Sequence, residues 1–229
     1  MQHAFSYIST NTMNDKLKII IEKMDLAGLR QLLTNNPSLA NEGITIPYDN
    51  KCTTKAHPLH RFCDAVFANK ITDEEAIEIA KIFIDHGANI DGDKTTQNKD
   101  TPLLAAASLR AEKLGIYYIV NGADIYYADK NDGATALHWA AYCGKNKLVE
   151  RLIQEKAQVD QRDTSYNSTP LGWAIEPFIT DNKFDAYHQM SCIKLLLKAG
   201  ADITALNNDK IQCLHLLSKD DLELKNLLN

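Results

Sequence analysis

Apolar side chains recur at helical spacing in paired stretches along most of the chain. In the clearest pair, apolar positions within 137–141 are followed by a second apolar stripe within 148–153. Positions three and four residues apart lie on one face of a helix. A polar segment with turn-forming residues separates each pair from the next. The pattern therefore predicts helix–turn–helix units, and such units bury their apolar faces only by stacking on one another.

Each predicted unit has a start signal and an end signal. The start signals are HPLHRFCDA from His57, TPLLAAASL from Thr101, TALHWAAYC from Thr135, TPLGWAIEP from Thr169 and a degenerate copy, QCLHLLS, from Gln212. The end signals are DHGANI, VNGADI, QEKAQV and KAGADI. Thr can cap a helix, Pro suits the first helical position, and Gly suits the left-handed residue after a helix. The signals therefore predict where each helix pair begins and ends.

The spacing of the start signals predicts two insertions. Their second residues fall at 102, 136 and 170, an even spacing of 34 residues, whereas the intervals from 58 to 102 and from 170 to 213 are longer. The extra residues lie between the paired helices, because the distance from start signal to glycine position is also longer there. In the first insertion, Thr72 and Glu75 have capping-box spacing. The second, EPFITDNKFDAYHQM, is expected to be a polar loop that carries Phe178, Phe184 and Tyr187.

Three further departures from the pattern are expected to have structural consequences. Lys156 takes the position where the other units have glycine, and Asn167 takes the turn position held by Gly133. We expect a left-handed backbone at both, which a lysine adopts at a cost of about 1 kcal/mol and asparagine tolerates better. The third departure is a long loop, EGITIPYDNKCTTKA, which either folds back on the units or extends toward a partner.

These signals resemble the ankyrin repeat, whose signature joins T-P-L-H-x-A-A to a later G-A-D/N. The third unit matches best, with DGATALHWAAYCGKNKLVERLIQEKAQVD from Asp132. The resemblance implies an all-α solenoid of about five units with short hairpin fingers and a capping unit at each end. Its expected divisions are a flexible segment at 1–13 and one domain at 14–229, comprising an N-cap unit 14–43, repeats 56–91, 100–129, 132–163 and 167–207, and a C-cap unit 209–229.

Composition and charge narrow the possible partners and location. The 229 residues carry a net charge of −5, with both signs mixed along the chain, which argues against a nucleic-acid partner. No apolar run reaches the length of a membrane span, and the first residues lack the features of a signal peptide. The five cysteines are spread out, without a C-x-x-C pair. We therefore expect no disulfide framework and a reducing, cytoplasmic location.

Catalytic and metal chemistry has little support in the sequence. No phosphate-binding loop, dinucleotide fingerprint or local nucleophile signature is present, so we expect neither an enzyme nor a cofactor. The one metal-like group is Cys52, His57, His60 and Cys63, whose number suits zinc. The repeat register instead makes His57 a cap and Cys63 a packed residue. It also makes His60 the structural histidine that hydrogen-bonds backbone, so zinc binding remains a distant alternative.

The resemblance implies that the chain recognises another protein, without catalysis, through its finger tips and the concave face of its first helices. Tyr142 and Tyr166 are the favoured contacts, because tyrosine combines a large contact area with a polar tip. Trp139 and Trp173 are expected to stack between repeats. The candidate residues, transferred position by position, are Gln97, Asn98, Ser108, Leu109, Tyr126, Asn131, Asp132, Tyr142, Cys143, Ser165, Tyr166, Ser168, Ile175, Glu176, Phe178, Phe184 and Tyr187.

Three alternatives stay open at the level of the sequence. The aromatic residues of the second insertion can pack on the helices or form a separate binding patch. The repeats can serve as a scaffold or regulatory subunit of a larger complex. They can also belong to a secreted effector of an intracellular microbe that is delivered into a host cell, since the Asn-, Lys- and Ile-rich composition suits an AT-rich genome. In each case we expect a monomer that binds a protein.

Overall fold

The computed structural model describes residues 13, 15–49, 51–92, 100–180 and 185–228, so most of the expected flexible segment 1–13 lies outside it. Within these ranges the chain is helical and contains no strand longer than an isolated bridge. The α-helices are α1 (15–22), α2 (Leu26–Asn35), α3 (Pro58–Phe67), α4 (Asp73–Asp85), α5 (Pro102–Ser108), α6 (Glu112–Val120), α7 (Ala136–Tyr142), α8 (Asn146–Gln154), α9 (Pro170–Thr180), α10 (Ala186–Lys198), α11 (Asn208–Leu217) and α12 (Leu222–Leu227). Short 3₁₀ helices follow α2 at Pro37–Ala40 and α10 at Ile203–Ala205.

The helices form two parallel rows, which confirms the predicted all-α solenoid. The first helices of successive units pack in the order α3, α5, α7, α9, α11, and the second helices in the order α2, α4, α6, α8, α10, α12. Small side chains fill the space between neighbouring first helices; the alanines at 105–107 and at 140 and 141 are buried. Each unit therefore completes its core with its neighbours, as stacked repeats require.

The expected caps and left-handed turns are present. The Thr101 hydroxyl accepts a hydrogen bond from the Leu104 N–H at 3.2 Å and begins α5. Gly122 and Gly200 follow the second helices of their units with φ of 88° and 90°. Lys156 has φ of 70° and Asn167 has φ of 50°, so both left-handed conformations expected for non-glycine residues are confirmed.

The two insertions lengthen helices, which corrects the expected loop in the fourth unit. Helices α5 and α7 have 7 residues, whereas α3 has 10 and α9 has 11; α6 and α8 have 9, whereas α4 and α10 have 13. The capping box of Thr72 and Glu75 is confirmed. In the fourth unit α9 continues through Pro177 to Thr180, and the Asp185 carboxylate caps α10. Phe178 therefore lies in a helix, half-buried against the core.

The C-terminal unit begins earlier than its start signal predicted. Helix α11 begins at Asn208, capped by the Asn207 side chain, which accepts from the Lys210 N–H at 2.9 Å. Gln212 is thus inside a helix, and the predicted register of this copy is wrong. The reason is that the 3₁₀ turn at Ile203–Ala205 replaces a full finger before α11.

The long loop before α3 folds back on the protein. An isolated bridge joins Ile44 to Ala56 and closes the loop. The buried Arg61 guanidinium donates to the carbonyls of Ile44 at 3.3 Å and Thr54 at 2.9 Å. It also pairs with Asp64 at 2.7 Å. Three partners on one arginine fix the loop against α3.

Candidate functional site

A solvent-open groove of about 590 Å³ runs along the first helices of three successive units and the fingers between them. We call it the inner groove. It is lined by Asp132, Trp139, Tyr142, Tyr166, Ser168, Trp173, Glu176, Thr180, Asn207 and Lys210. Helices α7, α9 and α11 contribute the floor. One edge is formed by two hairpin fingers, the first carrying Asp132 and the second carrying Tyr166 and Ser168.

Trp173 is the centre of an aromatic cluster in this groove. Its ring meets Trp139 edge to face with centroids 5.0 Å apart, and Tyr142 and Tyr166 approach it at 5.9 and 6.4 Å. Such T-shaped pairs are a favoured arrangement of aromatic rings. The stacking predicted for Trp139 and Trp173 is confirmed, and the same rings also line the groove.

The Asp163 carboxylate holds this aromatic cluster in place through hydrogen bonds. Its carboxylate accepts from Trp173 Nε1 at 2.9 Å and from the backbone N–H groups of Tyr166 at 2.5 Å and Ser168 at 3.1 Å. Burial opposes ionisation, but the three hydrogen bonds outweigh it and hold the pKa of Asp163 below its usual range. One ionised side chain therefore fixes both the finger backbone and the orientation of the indole ring.

The preceding finger is built in the same way. Asp129 lies one repeat before Asp163 and accepts from the N–H groups of Asn131, Asp132 and Ala134 at 2.7–3.0 Å. The two fingers touch, because the Ser165 hydroxyl donates to Asp132 Oδ1 at 2.7 Å. The edge of the groove is therefore held by hydrogen bonds within and between fingers.

His138 joins the helix floor to the finger edge. Its Nδ1 accepts from the Thr135 N–H at 3.1 Å, which leaves the proton on Nε2, 3.3 Å from the Ser168 carbonyl. The ring is fully buried and lies edge to face with Trp173 at 5.4 Å. Burial lowers the pKa of His138, and hydrogen bonding to Ser168 and the charge of Asp163 oppose that shift only in part.

The far side of the groove is polar. The Lys210 ammonium lies 3.0 Å from Glu176 Oε2 and 3.2 Å from the Ser168 hydroxyl. These contacts connect α11 to α9 and to the second finger. The lysine charge is therefore balanced by a carboxylate of the same groove.

Five of the residues proposed from the sequence line the inner groove, namely Asp132, Tyr142, Tyr166, Ser168 and Glu176. Tyr166 is 74% exposed. Asn131 and Ser165 are exposed on the fingers beside it. The structure thus brings together the residues expected from the first and second fingers of the groove and from α7 and α9.

Other proposed residues lie elsewhere. Ile175 is fully buried in the core, because it faces inward from α9, so its place in an exposed surface is wrong. Cys143 is half-buried and its thiol lies 3.7 Å from the Ser108 carbonyl, while the neighbouring Leu109 packs against the core. Tyr126 is exposed at the base of a finger, outside the groove.

Two proposed residues belong to the lengthened pair α9 and α10. Phe178 packs on the core, whereas Tyr187 is 77% exposed in the first turn of α10. Gln97, Asn98 and Phe184 lie outside the described residues. Packing on the helices is therefore confirmed for Phe178, whereas the binding patch stays a prediction for Tyr187.

Sequence reasoning missed part of the groove lining. Trp139 and Trp173 were assigned to stacking alone, although their equivalent positions were a visible signal. Lys210 and Asn207 were missed because the predicted register placed the start of the last unit too late. Thr180 was missed because it was assigned to an insertion loop.

The four residues of the zinc alternative do not form a common site. His57 accepts the Leu59 N–H through Nδ1 and pairs with Asn41 through Nε2, at 3.3 and 3.1 Å. The Cys63 thiol lies 3.5 Å from the Leu59 carbonyl. Across the ranges the structure describes, no three His, Cys, Asp or Glu side chains converge as metal ligands would.

His60 departs from its expected role at one ring nitrogen. His60 Nδ1 is buried without a hydrogen bond, 3.5 Å from Asp64 Oδ2. The capping acceptor of this unit is the ring of His57, so the bond that His138 makes in its own unit is not repeated through this nitrogen.

Comparison with known proteins decides the family. Residues 111–207 match the family model for ankyrin repeats in three copies. Residues 111–207 therefore consist of ankyrin repeats. It is 30% identical over 129 residues to ankyrin repeat and SOCS box protein 6 of Mus musculus, which covers 56% of the chain and 29% of that protein. It is 31% identical over 112 residues to palmitoyltransferase ZDHHC17 of Danio rerio, covering 47% of the chain and 16% of that protein.

Ankyrin repeats form a protein–protein interaction module and are not an enzymatic fold. The chain spans less than a third of the length of these relatives. The similarity to the palmitoyltransferase covers only 16% of that protein's length. Among the described residues, no helix is both long enough and apolar enough to cross a bilayer.

Proposed function

We propose that this ankyrin-repeat protein recognises a segment of a partner protein in the inner groove, without catalysis, with Tyr142 and Tyr166 as principal contacts. The observation that carries the proposal is the fixed aromatic cluster around Trp173, which reaches solvent at the highly exposed Tyr166. Clustered aromatic side chains dominate the energetics of protein interfaces. A cytoplasmic location and a monomeric state are part of this proposal.

The rigidity of the groove supports the same function. Asp163 holds Trp173 and the second finger, and His138 connects that finger to α7. Side chains that are already ordered lose little conformational entropy when a partner binds. The groove therefore suits recognition of a partner without large rearrangement.

Affinity capture tests the proposal. Tagged wild-type protein, Tyr142→Ala and Tyr166→Ala are used to capture proteins from cells of the source organism or its host, and bound proteins are quantified by mass spectrometry. We expect one or more specific partners to be retained by wild type and depleted at least about tenfold by each substitution. Tyr187→Ala is the matched control, since it removes an exposed tyrosine outside the groove.

If both groove variants retain the same partners as wild type, the groove is not the binding surface. Depletion by Tyr187→Ala instead would favour the second candidate function, a scaffold or regulatory subunit that docks through its lengthened helix pair. The observation behind that candidate is the exposure of Tyr187 and Ile179 at the start of α10 and the end of α9.

A further inference from the structure

The inner groove combines aromatic rings with an uncompensated carboxylate. We propose that it recognises an arginine side chain presented by the partner protein. This inference rests on the proposed function and specifies the chemistry of the partner. It is carried by two features of the groove, the accessible aromatic cluster and the balance of its charges.

The aromatic cluster provides the first feature. Four aromatic side chains line the groove, and three of them, Trp139, Tyr142 and Tyr166, are half-buried or exposed. The face of an aromatic ring attracts a cation, most strongly for tryptophan. Because the rings are fixed by mutual contacts and by Asp163, a cation meets them without reorganisation.

The charges provide the second feature. Among the described residues that line the groove, the charged side chains are Asp132, Glu176 and Lys210. Lys210 is paired with Glu176 at 3.0 Å, whereas the Asp132 carboxylate has no ion pair among the described residues and accepts only from the Ser165 hydroxyl. A carboxylate has about four acceptor positions, so Asp132 can accept further hydrogen bonds. The described part of the lining therefore has a net negative charge, and the carboxylate of Asp132 places that charge at the finger edge.

Arginine matches this combination better than lysine does. Its guanidinium is planar, so it stacks on an aromatic ring while its N–H groups reach a carboxylate in a two-point contact. The ammonium of lysine is a compact, strongly hydrated charge that does not stack. A groove lined by aromatic rings and by a carboxylate that has no ion pair among the described residues thus favours the guanidinium.

The protein contains an internal reporter for this binding. Its two tryptophans are Trp139 and Trp173, and both line the inner groove. Intrinsic tryptophan fluorescence therefore reports on the groove alone. The probes are two synthetic pentapeptides with blocked ends, Gly-Gly-Arg-Gly-Gly and the same peptide with citrulline, which has the shape of arginine without its charge. We expect a saturable fluorescence change whose apparent Kd is about tenfold lower for the arginine peptide.

A variant pair connects the preference to the proposed residue. Asp132→Asn removes the charge while retaining an acceptor for Ser165, and we expect it to abolish most of the difference between the two peptides. Glu150→Gln is the matched control, because it removes an exposed carboxylate from α8, outside the groove lining. Circular dichroism verifies that both variants are folded.

Three results would overturn the inference: equal affinity for the two peptides, no saturable change with the arginine peptide, or an arginine preference that survives in Asp132→Asn. None of these three results changes the outcome expected in the capture experiment. If capture depends on Tyr166 while the arginine preference is missing, the groove binds a protein of different chemistry and only this inference fails. If the arginine preference is found but partner capture is unchanged in both Tyr142→Ala and Tyr166→Ala, the proposed function is wrong for a reason independent of this inference.

Discussion

Lys156 has a left-handed backbone at the position where three other units have glycine. Its φ of 70° lies beside values of 86°, 88° and 90° at Gly87, Gly122 and Gly200. A residue with a Cβ adopts this conformation at a cost of about 1 kcal/mol. We therefore expect Lys156→Gly to raise the free energy of unfolding by up to that amount, which thermal unfolding will show as an increase in melting temperature.

The reciprocal variant separates backbone strain from other effects of lysine. A Cβ placed on Gly122 would meet no atom within 4 Å, so Gly122→Lys changes mainly the backbone preference and is expected to lower the melting temperature. An unchanged or lower melting temperature for Lys156→Gly would show that the lysine side chain stabilises the turn by another route.

His138 gives the protein a specific dependence on pH. Burial depresses its pKa below the ordinary value of 6.5, so the unfolded chain binds the proton more tightly than the folded protein. Neutral His138 therefore makes its full contribution to the free energy of unfolding above about pH 6.5. This contribution is lost as the pH falls toward the lower pKa that His138 has in the folded state. Protonation would place a hydrogen on Nδ1, directed at the Thr135 N–H that it now accepts from.

We expect His138→Gln to weaken the fall in unfolding free energy between pH 7 and pH 5, because glutamine does not titrate. Chemical denaturation at several pH values measures this slope. His215→Gln is the control, since His215 is exposed on α11. Ionised Asp163 does not interfere, as its pKa lies below 3.8. Identical slopes in wild type and His138→Gln would mean that His138 does not control stability in this range.

At the scale of single helices, the repeat signals predicted most of the fold. Helix starts at Thr101 and Thr135 and the capping box at Thr72 depend on local hydrogen bonds, which the sequence states directly. The failures came from tertiary packing. The second insertion was expected to be a loop, yet α9 continues through Pro177, whose ring is buried, although proline removes a backbone donor. The start of the last unit was misplaced because a shortened finger leaves no sequence signal of its own.

The groove residues also divide into those that repeat position predicts and those that tertiary packing decides. Tyr142 and Tyr166 were predictable from their positions in the repeat. The position of Lys210 could not be predicted, because it depends on where α11 starts. The burial of Ile175 depends on how α9 is rotated against its neighbours, which repeat position alone did not resolve. Position in the repeat thus predicts which element carries a residue, while packing decides what that residue touches.

The extra turn of α10 is attached to the protein by Gln189. Its side-chain amide is buried and donates to the carbonyls of Ala141 in α7 and Ala174 in α9, both at 2.7 Å. Leucine in its place would remove both of these buried hydrogen bonds, and the Ala141 carbonyl would keep only backbone donors such as the Gly144 N–H at 3.3 Å. We expect Gln189→Leu to lower the free energy of unfolding by about 2 kcal/mol, measured by chemical denaturation.

Gln154→Leu, at the exposed last residue of α8, is the matched control and should change stability by less than about 0.5 kcal/mol. If Gln189→Leu and Gln154→Leu change the free energy of unfolding by the same amount, the amide hydrogen bonds of Gln189 do not contribute to stability.

At the scale of the whole molecule, packing connects each unit mainly to its neighbours. The main helix contacts join adjacent units. Side-chain carboxylates also accept from the backbone of the next unit: Asp91 accepts from the Asp124 N–H, and Asp160 from the Asp202 N–H. In the unit between these two, Tyr126 occupies the position that corresponds to Asp91 and Asp160, and it provides no carboxylate. Stability in such an array is close to a sum of unit and interface contributions. Damage at one end should therefore remain local.

Leu224 in α12 tests this locality. It is fully buried at the C-terminal end, where α12 packs on α10. Leu224→Ala removes buried contacts that typically stabilise by 2 to 5 kcal/mol, so we expect α11 and α12 to lose protection from hydrogen exchange, with a smaller loss in α10. Protection in α3 to α6 should remain at the wild-type level. Leu222→Ala removes a leucine that is 73% exposed and should change neither end. An equal loss of protection across all units would show that the solenoid unfolds as one cooperative body, and the nearest-neighbour description would have to be abandoned.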